Sequence, residues 1–183
     1  MKINHWLLDL DGTCNDFFGY AFQILDAKFP NRITKEEYLA DPSFNMAEKF
    51  KISDKDFWAT VDKGRFWYYI PQLPWTKQLY EFLCRFAPVV IASSPSDNPD
   101  CIAQKLEWLD EHLGVSIKDC MFGSKKYLMA RPDNVLIDDY PSNCDKFIEA
   151  GGQAICVPST WNTKNLQYND ILERIIMHPA FGK

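Results

Sequence analysis

The sequence predicts an α/β protein: a Rossmann-like parallel sheet with helices on both faces and a small helical cap inserted after the first strand. Short apolar runs alternate with amphipathic helical patterns along most of the chain, which is typical of an open, doubly wound sheet. One stretch near the N-terminus breaks this alternation and is rich in aromatic residues. The length of 183 residues suits one full domain with a small insertion.

Apolar, β-prone runs give the predicted strands. Continuous runs of this kind are typical of strands that are buried on both faces of a parallel sheet. They are Ile3–Leu8, Pro88–Ala92, Met121–Phe122, Val135–Ile137 and Ala154–Val157.

Amphipathic patterns between these runs give the predicted helices of the sheet domain. The segment 75–86 places one apolar set on a single face: Leu79, Phe82 and Leu83. The segment 101–113 places a second set on a single face: Ile102, Leu106, Leu109 and Leu113. Gly114 is the expected C-cap of that second helix, because glycine readily adopts the left-handed conformation that ends helices.

Residues from about 15 to 73 do not fit the alternation and predict the helical cap. Two helix starts within it resemble capping boxes, at Thr34–Glu37 and Ser53–Asp56. We therefore predict a sheet domain of residues 1–14 and 74–183 and a cap of residues 15–73. The cap holds much of the aromatic content: Phe17, Phe18, Tyr20, Phe22, Phe57, Trp58, Phe66, Trp67, Tyr68 and Tyr69.

Composition and charge exclude several classes of function. The net charge of −5 argues against a general nucleic-acid binder. No apolar run approaches the length of a membrane span, and two aspartates interrupt the N-terminal apolar stretch, which argues against a signal peptide. The six cysteines form no CxxC pair and the histidines do not cluster, which predicts reduced thiols in a cytoplasmic protein and no zinc site.

The first segment with reactive groups is Asp9-Leu10-Asp11-Gly12-Thr13, directly after the first predicted strand. Two carboxylates this close repel each other unless a cation lies between them. A hard divalent ion with oxygen ligands fits such a pair, and Mg²⁺ suits phosphate substrates best. Taken alone, the pair is equally well explained as solvated turn or helix-capping residues.

Two later segments offer groups that bind phosphate. Ser93 and Ser94 end the second predicted strand, where hydroxyl and backbone N–H groups can donate to a phosphoryl oxygen. Capping of the next helix is the alternative for these serines. Lys125 and Lys126 follow the third predicted strand, where either can hold phosphate as a compact cation or lie in a solvated turn.

A second acidic pair, Asp138-Asp139, ends the fourth predicted strand. Isolated buried carboxylates carry a large desolvation cost, so this pair indicates a cation site, with helix capping as the alternative. Each of these segments is ambiguous alone. However, each follows its own strand, and sheets of this type bind ligands at the carboxyl ends of their strands.

The order of these segments resembles the phosphatases of the haloacid dehalogenase-like (HAD) superfamily. Members have a DxD strand end, a strand-end Ser or Thr, a lysine and a terminal acidic pair, and all four occur here in that order across residues 3–139. Within the superfamily, Ile91–Pro95, Leu136–Asp139 and Phe66–Pro74 look like the 5′(3′)-deoxyribonucleotidase branch.

The resemblance implies a Mg²⁺-dependent phosphatase that works through an aspartyl-phosphate. It implies that Asp9 is the nucleophile and that Asp11 acts as general acid and then general base. By the same resemblance, Asp9, the backbone carbonyl of Asp11 and Asp138 hold Mg²⁺. Asp139 is expected to orient the waters of the metal.

The same resemblance implies that Ser93, Ser94 and one lysine bind the phosphoryl group. Lys126 is favoured because it directly precedes a helical-looking Tyr-Leu-Met segment, while Lys125 remains open.

The substrate expected from that branch is a (deoxy)ribonucleoside monophosphate, which indicates a role in nucleotide metabolism. Cap aromatics can either stack on a nucleobase or form the cap's own core. The candidates are Phe17, Phe18, Phe66 and Trp67, with Phe18 and Trp67 favoured because they lie near the two cap junctions. Residues 158–162, after the last strand, are expected to border the site.

Two alternatives remain. The same kind of enzyme can act on nucleic-acid 3′-phosphate ends or on small sugar phosphates, although the acidic balance and the cap count against long nucleic acids. A non-catalytic binding protein of the same fold is disfavoured because both motif carboxylates and the acidic pair are present. The expected partner is a small phosphate ester, with no membrane and no stable nucleic-acid partner, and the resemblance allows a homodimer because some relatives dimerise.

Overall fold

The computed structural model describes residues 2–159, 161–162, 173, 175–177 and 179. Its strands are β1 (His5–Leu8), β2 (Val89–Ser93), β3 (Cys120–Phe122), β4 (Asn134–Asp138) and β5 (Gln153–Cys156). Within this part of the chain they form a five-stranded sheet in the order β3-β2-β1-β4-β5, with every neighbouring pair parallel. Each predicted apolar run is a strand, and the predicted α/β class is confirmed.

The segment between β1 and β2 contributes the inserted helices. They are α1 (Phe17–Lys28), α2 (Lys35–Ala40), α3 (Met46–Lys49), α4 (Asp54–Val61) and α5 (Phe66–Tyr69). Side chains of this segment form an apolar cluster distinct from those on the two faces of the sheet, joined by Cys101 from beyond β2, with Leu25, Met46 and Phe50 among its most buried members. The insertion therefore has a small core of its own.

Both predicted helix starts in the insertion are confirmed. The Thr34 hydroxyl accepts from the Glu37 backbone N–H and the Glu37 carboxylate accepts from the Thr34 N–H, which completes a capping box. Ser53 caps α4 by accepting from the Asp56 backbone N–H. The division into residues 15–73 and the remainder stays a prediction, supported by the separate apolar cluster.

The sheet is covered by α6 (Thr76–Cys84), α7 (Asp100–Leu113) and α8 (Pro141–Glu149). Gly114 ends α7 in the left-handed conformation, as predicted. The predicted apolar face of α7 is wrong in part, because Ile102 is exposed while Lys105 and Trp108 are buried. Among the helices of the described segments, none is both long and apolar enough to be a membrane span.

The central strand β1 is buried on both faces, and its successive side chains enter the apolar clusters on alternate faces of the sheet. Trp6 and Leu8 belong to the core cluster on one face, together with residues of α6 and α7. Leu7 belongs to the cluster on the other face, with Phe147 of α8. Full burial of one such apolar side chain contributes about 1.5–3 kcal/mol, so the strand is held firmly beneath the site at its end.

Candidate active site

The site lies at the carboxyl edge of the sheet, where β2, β1 and β4 end side by side. Leu8, the last residue of β1, pairs with Ile91 of β2 and Ile137 of β4. This register places Asp9 between the ends of its two neighbours, Ser93 and Asp138. The backbone N–H of Asp9 donates to the Ile137 carbonyl at 2.9 Å, which continues the ladder through the first residue of the site.

A tight turn after β1 brings the two acidic segments together. Gly12 has a φ of +80°, in the left-handed region that favours glycine. A Cβ atom at Gly12 would collide with the carboxylate of Asp139. The glycine of the DxDGT segment is therefore required both by the backbone turn and by the space that Asp139 occupies.

Three buried carboxylates form the centre of the site. Asp9, Asp138 and Asp139 each offer an oxygen, and these oxygens lie within 4.8 Å of one another. The ammonium group of Lys126 contacts Asp9 Oδ1 and lies 2.6 Å from Asp138 Oδ2. Three carboxylates facing one ammonium leave two negative charges uncompensated, so the residues fit a divalent cation with oxygen ligands.

The pKa shifts express the same excess of negative charge. Burial raises the pKa of Asp9 to about 7, although the Lys126 ammonium lowers it. Burial also raises the pKa of Asp139, and repulsion from Asp9 and Asp138 adds to that effect. Burial lowers the pKa of Lys126, but attraction to Asp9 and Asp138 outweighs this, so its pKa is raised and the lysine stays charged.

The two members of the acidic pair differ in their hydrogen bonds. Asp138 Oδ1 accepts from the backbone N–H of Tyr140, and Oδ2 accepts from Lys126 and from Asn143 Nδ2. Asp139 Oδ2 accepts from the indole N–H of Trp161 at 2.5 Å. Among the hydrogen bonds of the described residues, none involves Asp139 Oδ1. Asp139 therefore has the more accessible oxygen for a cation.

A buried lysine that the sequence interpretation missed lies beside this cluster. The Lys105 ammonium contacts Asp11 Oδ2 and lies 2.9 Å from Ser93 Oγ and 2.8 Å from the carbonyl of Ser94. It also lies 4.5 Å from the centre of the Trp67 ring, within the range of a cation–π interaction. Lys105 thus joins the DxD segment, the end of β2 and the inserted helices.

The structure separates the two lysine candidates for phosphate binding. Lys126 begins a 3₁₀ helix, Lys126–Met129, and is buried against Asp9 and Asp138. Lys125 is exposed and lines the mouth of the cavity above them. Only Lys126 of this pair contacts the carboxylates of the site.

A cavity of about 630 Å³ opens above these groups, with aromatic rings from the inserted helices on its wall. Three of the four predicted aromatic candidates line it: Phe17, Phe18 and Trp67. Phe66 does not line it, because its ring is buried behind Phe17 and packs on Tyr20. The sequence interpretation missed further lining residues: Phe44, Phe57, Trp58 and Tyr140.

The segment after β5 borders the site, as expected. In addition to the Trp161 contact, Asn162 Nδ2 donates to the backbone carbonyl of Asp139 at 2.5 Å. Thr160 lies outside the described residues.

Comparisons with known proteins add a family and a fold. Residues 3–171 match the family described as 5′ nucleotidase, deoxy (pyrimidine), cytosolic type C protein (NT5C). No curated protein is similar to the sequence at a significant level.

Solved structures of low sequence identity share the fold. A haloacid dehalogenase-like hydrolase from Bacteroides fragilis is 16% identical, with a TM-score of 0.58 over 94% of this chain and 93% of that chain. A haloacid dehalogenase-like family hydrolase from Xanthomonas campestris is 14% identical, with a TM-score of 0.56 over 90% of this chain and 85% of that chain. A phosphonoacetaldehyde hydrolase-like protein from Oleispira antarctica is 16% identical, with a TM-score of 0.58 over 93% and 78%.

Proposed function

The chain belongs to the cytosolic type C 5′-nucleotidase family, and from this premise we propose that it is a Mg²⁺-dependent phosphomonoesterase acting on (deoxy)ribonucleoside monophosphates. The observation that carries the proposal is the cluster of Asp9, Asp138, Asp139 and Lys126 beneath a cavity walled by aromatic rings. A nucleotide needs both parts, because its phosphate requires charged groups and its base requires flat apolar surface.

Asp9 and Asp11 would carry out the chemistry in two displacements. Asp9 would attack phosphorus to form an aspartyl-phosphate while the ester bond to the nucleoside oxygen breaks, and Asp11 would protonate that oxygen. Asp11 would then take a proton from the water that cleaves the aspartyl-phosphate. Asn15 Nδ2 and Lys105 each contact one carboxylate oxygen of Asp11, which supports a fixed orientation for this proton transfer.

Asp9, Asp139 and the backbone carbonyl of Asp11 would hold Mg²⁺. The bound ion would offset the repulsion between the carboxylates and the substrate phosphate. This assignment exchanges the roles expected for Asp138 and Asp139, because hydrogen bonds occupy both carboxylate oxygens of Asp138. Asp138 would instead hold Lys126 against the nucleophile.

Ser93, Ser94 and Lys126 would bind the phosphoryl group, and Lys105 would position Ser93 and Asp11 beside it, because its three N–H donors already bond Asp11, Ser93 and the Ser94 carbonyl. Ser93 Oγ accepts from Lys105, so its own hydroxyl proton remains available to donate to a phosphoryl oxygen. Lys105 and Lys126 contact different carboxylates, Asp11 and Asp9, and of these two lysines only Lys126 lines the cavity. The Lys126 ammonium group in this buried site would stabilise the charge of the transferring phosphoryl group.

The description of the family names deoxy pyrimidine nucleotides, so these are the first substrates to assay. A cytosolic location is part of the proposal and rests on the same description. The homodimer allowed by the resemblance stays a prediction.

The proposal is tested by measuring phosphate release in the presence of Mg²⁺. The panel comprises deoxy- and ribonucleoside 5′- and 3′-monophosphates, sugar phosphates and a 3′-phosphorylated oligonucleotide. Asp9→Asn is the matched control, because it removes the nucleophile with little change of shape, and we expect activity to fall at least about 10⁴-fold. Turnover that never exceeds this control overturns the catalytic proposal, whereas selective turnover of sugar phosphates overturns only the nucleotidase assignment.

A further inference from the structure

The carboxylate of Asp139 is held by a neutral donor from outside the four motifs. Trp161, in the segment after β5, donates its indole N–H to Asp139 Oδ2 at 2.5 Å. The same oxygen also lies against the turn at Gly12, where a Cβ atom would collide with it. These two contacts restrict rotation of the carboxylate about its last side-chain bond.

We propose that Trp161 is a positioning residue whose indole N–H fixes one oxygen of Asp139 and so directs the other toward the cation. The inference rests on the proposed function, because it takes Asp139 as a ligand of Mg²⁺. Partners of this kind fix the orientation of ligating carboxylates in metal sites and strengthen metal binding.

The chemistry of the indole suits this task. Indole N–H donates one hydrogen bond and carries no charge, so it orients Asp139 without neutralising it. Lys126 acts differently, because its ammonium group compensates charge on Asp9 and Asp138. The site thus has a cation where it must hold the nucleophile and a neutral donor where it must leave negative charge for the metal.

Several contacts hold the Trp161 ring itself in place. Its ring centre lies 5.9 Å from that of Phe18, 5.2 Å from Phe44 and 5.6 Å from Tyr140. The next residue, Asn162, bonds the backbone carbonyls of Asp139 and Val157. The indole is therefore ordered by packing, and Phe18 and Phe44 extend that packing to the inserted segment.

The test compares Mg²⁺ binding by the full-length metal-free protein and its variants, using calorimetric titration without substrate. Trp161→Phe keeps an aromatic ring and removes the N–H, and we expect the Mg²⁺ dissociation constant to rise by about 10-fold or more. Trp161→Leu should bind Mg²⁺ as weakly as Trp161→Phe if the N–H is responsible. Trp58→Phe makes the same chemical change at a cavity residue whose ring packs on Phe57 and Trp67, and should leave Mg²⁺ affinity unaltered.

Activity gives a second readout with a different signature. The Mg²⁺ concentration for half-maximal rate should rise in Trp161→Phe as the dissociation constant does, while kcat at saturating Mg²⁺ stays within about threefold. Wild-type Mg²⁺ affinity in Trp161→Phe overturns the inference. So does a Trp161→Leu protein that binds Mg²⁺ at least about tenfold more weakly than Trp161→Phe, because ring packing would then be responsible.

The inference and the proposed function fail in different ways. If wild-type protein binds no Mg²⁺, both the positioning role and the metal part of the proposed function are overturned. If wild-type protein binds Mg²⁺ and Trp161→Phe binds it more weakly, the positioning role is supported even when no nucleotide is hydrolysed. In that case only the substrate assignment is lost.

Discussion

At the floor of the cavity, a few charged side chains are fixed by individual hydrogen bonds, whereas the wall above them is made of aromatic rings in mutual contact. On the floor, Lys126 contacts Asp9 and Asp138, and each of these groups is buried. On the wall, the Phe17 ring contacts those of Phe18, Phe66 and Trp67. The floor therefore depends on particular atoms, and the wall depends on a shared surface.

This difference determines how each region responds to substitution. Removal of one member of a buried ion pair leaves an uncompensated charge and costs about 3–5 kcal/mol. Removal of one ring from an aromatic cluster costs about 0.5–1.5 kcal/mol beyond the lost burial. Substitutions on the floor should therefore stop the reaction, whereas substitutions on the wall should change which substrate is preferred.

Among substitutions that leave the nucleophile in place, the largest effect is expected for Lys126→Met, which keeps the length of the side chain and removes its charge. Asp9 and Asp138 lose their shared cation, and the phosphoryl group loses a cationic partner, so kcat should fall about 10²–10³-fold. Lys125→Met is the matched control, because Lys125 is exposed at the mouth of the same cavity. It should lower kcat/KM less than about tenfold.

Steady-state phosphate release from the preferred substrate measures both variants. Thermal unfolding should accompany the assay, to show that Lys126→Met is folded at the assay temperature. If both variants lose kcat/KM equally, a charge on the floor matters no more than a charge at the mouth of the cavity, and the comparison fails.

Much of the floor could be predicted from the sequence, because its residues directly follow short apolar runs, and such runs are typical of buried strands. The run before Asp9 is buried on both faces, and so is the run before Asp138. Once both are adjacent parallel strands, their carboxyl ends must meet at one edge. The carboxylates were therefore placed by the hydrophobic pattern of the strands that precede them.

Residues that reach the site from helices and loops could not be placed in this way. Lys105 lies on the buried face of α7, but a charged residue on a helix is ordinarily assigned to the solvent side. Lys105 lies four residues after Cys101 and three before Trp108, a spacing that places all three on one face of the helix, and this was the available sign of its burial. Trp161 lies in the segment 158–162 that was expected to border the site, but no local pattern indicates its contact with Asp139 or the position of Phe44.

The next effect in size tests the charge balance of the floor through pH. Burial raises the pKa of Asp9 to about 7, so the metal-free protein binds more protons at this group than the unfolded chain does. The stability contributed by this group is then complete below the unfolded pKa and is lost as pH rises through about 7. Mg²⁺ must displace that proton, so its affinity should rise at least about tenfold between pH 6 and pH 8, as Asp9 ionises together with Asp139, whose pKa is also raised by burial.

The measurement is the increase in Tm on adding a fixed Mg²⁺ concentration at each pH. The increase should be larger at pH 8 than at pH 6, because a ligand stabilises the folded state in proportion to the logarithm of its affinity. Asp9→Asn is the control, since it removes one of the two carboxyls with a raised pKa and should reduce the difference between the two pH values. An Mg²⁺ effect that stays constant or falls from pH 6 to pH 8 would show that the cluster carries no excess charge.

The smallest effects are expected on the wall, where two aromatic substitutions should separate substrate contact from packing. Trp58 lines the cavity and is 43% exposed, so Trp58→Ala should cost little stability. It should raise KM for nucleotides about fivefold and leave KM for a small non-aromatic phosphate ester unchanged, because only the nucleotide has a base to stack.

Phe66→Leu should lower the free energy of unfolding by about 1 kcal/mol and leave both KM values unchanged, because Phe66 packs behind the cavity. If Phe66→Leu raises the nucleotide KM as much as Trp58→Ala does, the wall acts as one packed unit, and base recognition depends on its overall shape rather than on the rings that face the cavity.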